Sequence, residues 1–136
     1  MFTYQIDLEY LGTNFVGWQF QKNGVSVQEV LEKALSKFLK DKIKVIGSGR
    51  TDAGVHAKGQ SAHFKTTRKI NDRYNFINSI NFFLVKHPVS ILNIKKRSKI
   101  FHARHSAKKR TYKYFIINRF STLVLDKNKA WHVKKK

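Results

Sequence analysis

Cysteine is absent from the 136-residue chain, and proline occurs once. The first absence excludes a disulfide framework and any thiolate metal site, and the second leaves no Pro-rich linker. Acids are scarce as well: eight Asp plus Glu stand against 28 Lys plus Arg, a formal net charge of +20. A potential of that sign draws in polyanions, and the excess runs through the whole chain instead of a tail, so nucleic acid is the natural partner. A lysine bias from an AT-rich genome would produce part of the same excess. Long apolar runs are missing too. The longest, Phe82 to Val85, is far too short to span a bilayer. Met1 to Tyr10 has no basic stretch and carries acids at alternate places, unlike a signal peptide. No membrane partner and a cytoplasmic location are expected. What is present, 41% hydrophobic residues, suffices for one domain with its own core.

Phe2, Tyr4, Ile6, Leu8 and Tyr10 alternate with polar residues, the period of a strand with one buried face. A glycine-containing loop over Leu11 to Gly24 follows. Ser26-Val27-Gln28-Glu29 then matches a capping box, and Val27, Val30, Leu31, Ala34, Leu35 and Phe38 share a helical face. Ile43 and Val45 predict a short strand, and Gln60, Ala62 and Phe64 another. A second helix, capped at Asn71, turns Phe76, Ile77, Ile80, Phe83 and Leu84 inward and ends before Pro88. Val89, Ile91 and Ile94 suggest a fourth strand. After the basic stretch Lys95 to Arg110, Tyr112 to Ile117 reads as a fifth with two apolar faces. The order β-α-β-β-α-β predicts an α+β, ferredoxin-like fold: an antiparallel sheet with both helices on one face, plus an additional C-terminal strand.

With so few acids, Asp52 in the loop Gly47-Ser48-Gly49-Arg50-Thr51-Asp52-Ala53-Gly54 needs an explanation. As an isolated residue it reads as a turn aspartate bonded to its own backbone. The segment lacks the Gly-Lys-Ser/Thr ending of a P-loop and has Asp52 where a dinucleotide fingerprint needs its third glycine. His56, His63, His102 and His105 match no standard zinc spacing.

The surroundings of Asp52 carry more. Gly49-Arg50-Thr51-Asp52-Ala53-Gly54-Val55-His56-Ala57, Gly59-Gln60 and His63-Phe64 resemble the signature of the A family of tRNA pseudouridine synthases. Asp7 to Tyr10, Gly17-Trp18-Gln19, Ser26-Val27-Gln28 and Leu31-Glu32-Lys33-Ala34-Leu35 resemble that family's first strand, loop and helix. Phe101-His102-Ala103-Arg104, Ser106-Ala107 and Arg110 to Tyr114 resemble a later block, all in family order. The resemblance implies a single N-terminal domain over residues 1–136, with a catalytic loop at 47–59 and the family's C-terminal half absent. Asn81 to Pro88 departs from the family pattern at the exit of the second helix.

The implied activity is isomerisation of uridine to pseudouridine in the anticodon arm, at the family's usual positions 38–40, with no metal and no organic cofactor. The family's catalytic carboxylate maps to Asp52. Arg50 beside it would hold that carboxylate charged, and Tyr112 would stack on the target base. His102, Arg104, Lys108, Lys109 and Arg110 would contact RNA, the two arginines matching phosphate bidentately. One carboxylate suits a reaction in which no water enters the product, whereas a glycosidase needs two. Tyr114, two residues from Tyr112, is the expected core residue of the pair. The implied partners are tRNA, a second copy in a homodimer, and a separate C-terminal half forming the other wall of the cleft. The competing readings are a truncated, non-catalytic RNA-binding domain of the same descent, an RNA recognition motif, and a ribosomal-type basic protein. For the second, Gln60 and Ala62 stand where stacking aromatics are required.

Overall fold

The computed structural model describes residues 1–135. Strands β1 (Phe2–Tyr10), β2 (Val45–Gly47), β3 (Ala57–Thr66) and β4 (Val89–Arg97) form one sheet in the order β2-β3-β1-β4. Helices α1 (Val27–Leu39) and α2 (Arg73–Phe83) connect its outer and inner strands. Each pairing in this sheet is antiparallel, as the split βαβ order predicts.

The pleat sorts the residues. Tyr4, Ile6 and Leu8 on β1 stand opposite Phe64, Ala62 and Gln60 on β3, so these six share the face toward the helices. There they meet Val27, Leu31 and Leu35 of α1 and Phe76 and Ile80 of α2 in one apolar core. Rings tie the layers together: Phe64 stacks on Phe76 at 6.3 Å between centroids, and Phe38 of α1 meets Phe76 edge-on at 5.8 Å. Thr3, Gln5 and Asp7 point the other way, opposite Lys65, His63 and Ser61 on one side and Arg97, Lys95 and Asn93 on the other. The helix-free face is therefore polar and basic. β4 carries a register shift opposite Asp7 and Leu8 that leaves Leu92 as an extra residue, a bulge on the edge strand.

The helix starts are set by side-chain caps. Ser26 accepts from the Glu29 amide at 3.1 Å, as the capping box predicts. For α2 the expected cap Asn71 is corrected to Asp72, whose Oδ1 accepts from the Asn75 amide at 3.0 Å. Two good capping residues stand side by side in the sequence. The first helical bond, from the Phe76 amide to the Asp72 carbonyl, brings Phe76 and Ile80 into the core and so selects the second.

The C-terminal region departs most from expectation. Of the expected fifth strand only Ile116 and Ile117 lie in β5 (Ile116–Asn118), which pairs in parallel with β6 (Trp131–Val133) in a small sheet of its own. Tyr112 precedes the strand, and Tyr114, the expected core tyrosine, is 89% exposed. The apolar pattern is real, but a strand with two apolar faces needs a layer on each side, and the described residues supply neither.

The inward register of α2 predicts the outcome of two substitutions. Ile80→Ala should lower the unfolding free energy by about 3 kcal/mol, whereas Phe82→Ala, on the exposed face, should change it by roughly 0.5 kcal/mol or less. Urea denaturation followed by circular dichroism measures both.

Candidate active site

The β2–β3 loop lies beside the Gly17–Trp18 segment and is joined to it by backbone. Gly17 and Asp52 form an isolated antiparallel bridge, and the Trp18 amide donates to the Thr51 carbonyl at 3.0 Å. Gly17 has φ +113°, and a Cβ there would stand 2.6 Å from the Thr51 carbonyl oxygen. The same segment is held from behind by α1. Val27 and Gln28, at the start of that helix, donate their amides to the Gly17 and Trp18 carbonyls at 3.1 and 3.0 Å. Trp18 itself is buried, and its indole lies against Gly47, where a Cβ would come within 2.7 Å.

Side chains fix the loop at further points. Tyr10, the last inward residue of β1, shares a 2.8 Å hydrogen bond between its hydroxyl and that of Thr51. Burial pushes the Tyr10 phenol above its ordinary pKa, so it stays protonated and able to donate. Gln60 donates from Nε2 to the Gly49 carbonyl at 2.7 Å and accepts from the Ser48 hydroxyl at 3.0 Å. Arg110 donates from Nε and Nη2 to the Ser48 carbonyl at 2.9 and 2.6 Å. Beyond Asp52 the chain reverses in a tight turn, the Val55 amide donating to the Asp52 carbonyl at 3.2 Å with Gly54 at φ +83°. His56 closes the far side: its Nδ1 accepts from the Gly12 amide at 2.9 Å, so Nε2 carries the proton shared with the Asn128 carbonyl at 2.5 Å.

Asp52 is thus an exposed carboxylate on a loop whose backbone is bound on both sides of it. Its side chain has no ion-pair partner among the described residues, where Lys33–Glu29 is the one salt bridge. An exposed negative group held by its backbone, with its oxygens uncommitted, can present itself to an incoming ligand without first breaking a protein contact.

A family model described as tRNA pseudouridine synthase matches residues 8–110, a stretch that contains the whole loop. The chain belongs to the tRNA pseudouridine synthase family. It is 56% identical over 136 residues, its full length, to the tRNA pseudouridine synthase A of Pelagibacter ubique (strain HTCC1062), and covers 55% of that protein. It is 52% identical over 132 residues, 96% of its length, to the tRNA pseudouridine synthase A of Ehrlichia canis (strain Jake), covering 54%. The chain spans about half the length of the curated relatives it matches.

Within this tRNA pseudouridine synthase domain, Asp52, Arg50, Arg110 and Tyr112 come together around one loop. The Tyr112 hydroxyl lies 3.6 Å from where a Cβ on Gly49 would stand. Arg50 is exposed on that loop and forms no ion pair with Asp52. Arg104, Lys108 and Lys109 are exposed. His102 belongs to a second group on the helix-free face. Its ring lies 4.8 Å from that of His63 and 4.1 Å from that of His105, and its Nδ1 accepts from the Arg104 and His105 amides at 3.2 Å each. Among the described residues no group of three or more His, Asp or Glu is arranged to hold a metal ion.

Sequence reasoning assigned no role to Tyr10, Gln60 or His63. Gln60 had a signal, since it is a polar residue at an inward position of β3 in line with Ala62 and Phe64. His63 is buried, and its Nδ1 accepts from the Ala103 amide at 2.9 Å. Burial, then the neighbouring His102 and Lys65, lower its pKa to about 4. Because the folded state binds this proton more weakly than the unfolded chain, His63 contributes stability that is complete above pH 6.5 and is lost as pH falls toward 4. The His102 pKa is lowered too, again first by burial, and acts in the same direction. Unfolding free energy should therefore fall by on the order of 2 kcal/mol across that window. The slope should flatten in His63→Gln, where the amide oxygen still accepts from Ala103; urea titrations at several pH values read both.

Proposed function

We propose that this chain is the half of a tRNA pseudouridine synthase that carries the catalytic carboxylate, and that it isomerises uridine in the anticodon arm, at the family's usual positions. The observation that carries this reading is the state of Asp52: exposed, without an ion pair, and fixed by backbone contacts inside the stretch that matches the family. In the reaction the bond between N1 and the sugar breaks, the base turns, a bond from C5 to the sugar forms, the C5 proton leaves and N1 takes up a proton. One ionised Asp52 suffices as nucleophile, since it is released when the new bond closes and no water enters the product.

The target base must leave its stem to reach the carboxylate, which favours a stacking partner at the loop. Tyr112 fits, because it is 60% exposed with its hydroxyl at the Gly49 side of the loop. Arg50 supplies positive charge to the same place. Arg104, Lys108, Lys109 and His102, along the 101–110 segment, contact phosphates, giving register without base information. The partners are tRNA, a second copy of the enzyme and the C-terminal half that the relatives carry; Tyr114, Phe115, Ile116 and Trp131, all more than half exposed, are the surface that half would cover. The site of action is the cytoplasm. No described helix is long and apolar enough to cross a membrane.

Supplied with the C-terminal half, the chain should release tritium from tRNA labelled at uridine C5. Asp52→Asn should reduce release by roughly a thousandfold or more, with tRNA affinity unchanged or slightly tighter because one negative charge is gone. Equal release by the variant would remove Asp52 from the chemistry. No release by the unaltered protein would overturn the enzymatic reading.

A further inference from the structure

Arg110 matches phosphate by residue type, but its Nε and Nη2 donors are already engaged within the protein, which leaves only Nη1 uncommitted. Nε and Nη2 both reach the Ser48 carbonyl, at 2.9 and 2.6 Å, and Nη2 also lies 3.2 Å from the Arg104 carbonyl. Gly49, next in the loop, lies close to both side chains: a Cβ there would stand 3.5 Å from Arg110 Nε and 3.6 Å from the Tyr112 hydroxyl. A guanidinium donating two bonds to one carbonyl and a third to another joins two segments that otherwise run separately: the loop with Asp52 and the approach to Tyr112.

We propose that Arg110 is a positioning residue, which holds the Ser48 end of the loop and thereby sets Asp52 and Tyr112 in one geometry, and is not a contact to RNA phosphate. In its effect on turnover this rests on the function proposed above; the clamp itself does not. Gln60 holds the adjacent Gly49 carbonyl from the sheet side, so the loop is gripped from two directions and loses one of them when Arg110 is shortened. Lysine cannot replace it, because one ammonium on a flexible stem does not span two carbonyls in a fixed fork.

The test compares Arg110→Ala and Arg110→Lys in this chain. Amide exchange at Trp18, whose N–H is bonded to Thr51, should speed up roughly tenfold in both variants. The salt dependence of tRNA affinity should keep its wild-type slope in Arg110→Ala. A slope shallower by about 0.9, the loss of one phosphate contact, with Trp18 exchange unchanged, would overturn the proposal. If Arg110→Ala does not fold, Arg110→Lys decides alone: it keeps the charge, so faster exchange supports the clamp and unchanged exchange contradicts it. In the enzyme assembled with its C-terminal half, Arg110→Ala should lower kcat with KM within about twofold, and added guanidinium should restore part of it. A rise in KM alone would count against the proposal. Absence of turnover in the unaltered enzyme would sink the functional reading and leave the exchange and salt results to decide the clamp.

Discussion

The backbone contact between Gly17–Trp18 and Thr51–Asp52 governs the rest of the site. The two segments are more than thirty positions apart in the chain, and nothing in either one's local pattern requires them to meet. They meet because the start of α1 donates two amides to Gly17 and Trp18, which turns the opposite edge of that segment toward the β2–β3 loop. Helix termini leave amides without partners, and here those amides fix a loop instead of being left to water. Gly17 is required twice over, by its positive φ and by the lack of room for a Cβ against the Thr51 carbonyl. Trp18 then fills the space beneath Gly47, so the loop is set by packing below and by hydrogen bonds beside it.

Electrostatics bears on this loop as well. Asp52 carries a negative group in a chain of net charge +20 and, like most of its acids, forms no ion pair among the described residues. Its backbone is bound and its side chain is not, which leaves the negative oxygens without a partner among the described residues. The buried imidazole of His63 shows the opposite solution. Surrounded by His102, Lys65 and a basic face, it is kept neutral by burial and serves as an acceptor for the Ala103 amide. The Asp52 loop and the 101–106 turn are thus anchored to the same strand, β3, through Gln60 and His63 on its two faces.

Periodicity revealed β1, α1 and most of the inward residues of α2, because each has one buried face and the pattern reports that directly. The choice of Asp72 over Asn71 was not readable, since both cap well and only the packing of Phe76 separates them. The C-terminal run from Tyr112 misled for a physical reason: two apolar faces signal a strand covered on both sides, and the cover is not among the described residues. For the site, the glycine-flanked aspartate was visible in the motif. The grips of Tyr10, Gln60 and Arg110 were not, because they are long-range bonds, Tyr10 to the Thr51 hydroxyl and Gln60 and Arg110 to backbone carbonyls, that leave no spacing in the sequence. Arg50 and Asp52 stand two positions apart with opposite charges, yet they form no ion pair.

The central claim is that the Asp52 loop and Tyr112 form one surface on which the target nucleotide rests. Photo-crosslinking of this chain to a tRNA bearing 4-thiouridine at the target position, with the attached peptides identified by mass spectrometry, tests it most directly. The account predicts crosslinks confined to the 47–59 loop and to Tyr112. Crosslinks on the outer faces of α1 and α2, with none on that loop, would contradict it.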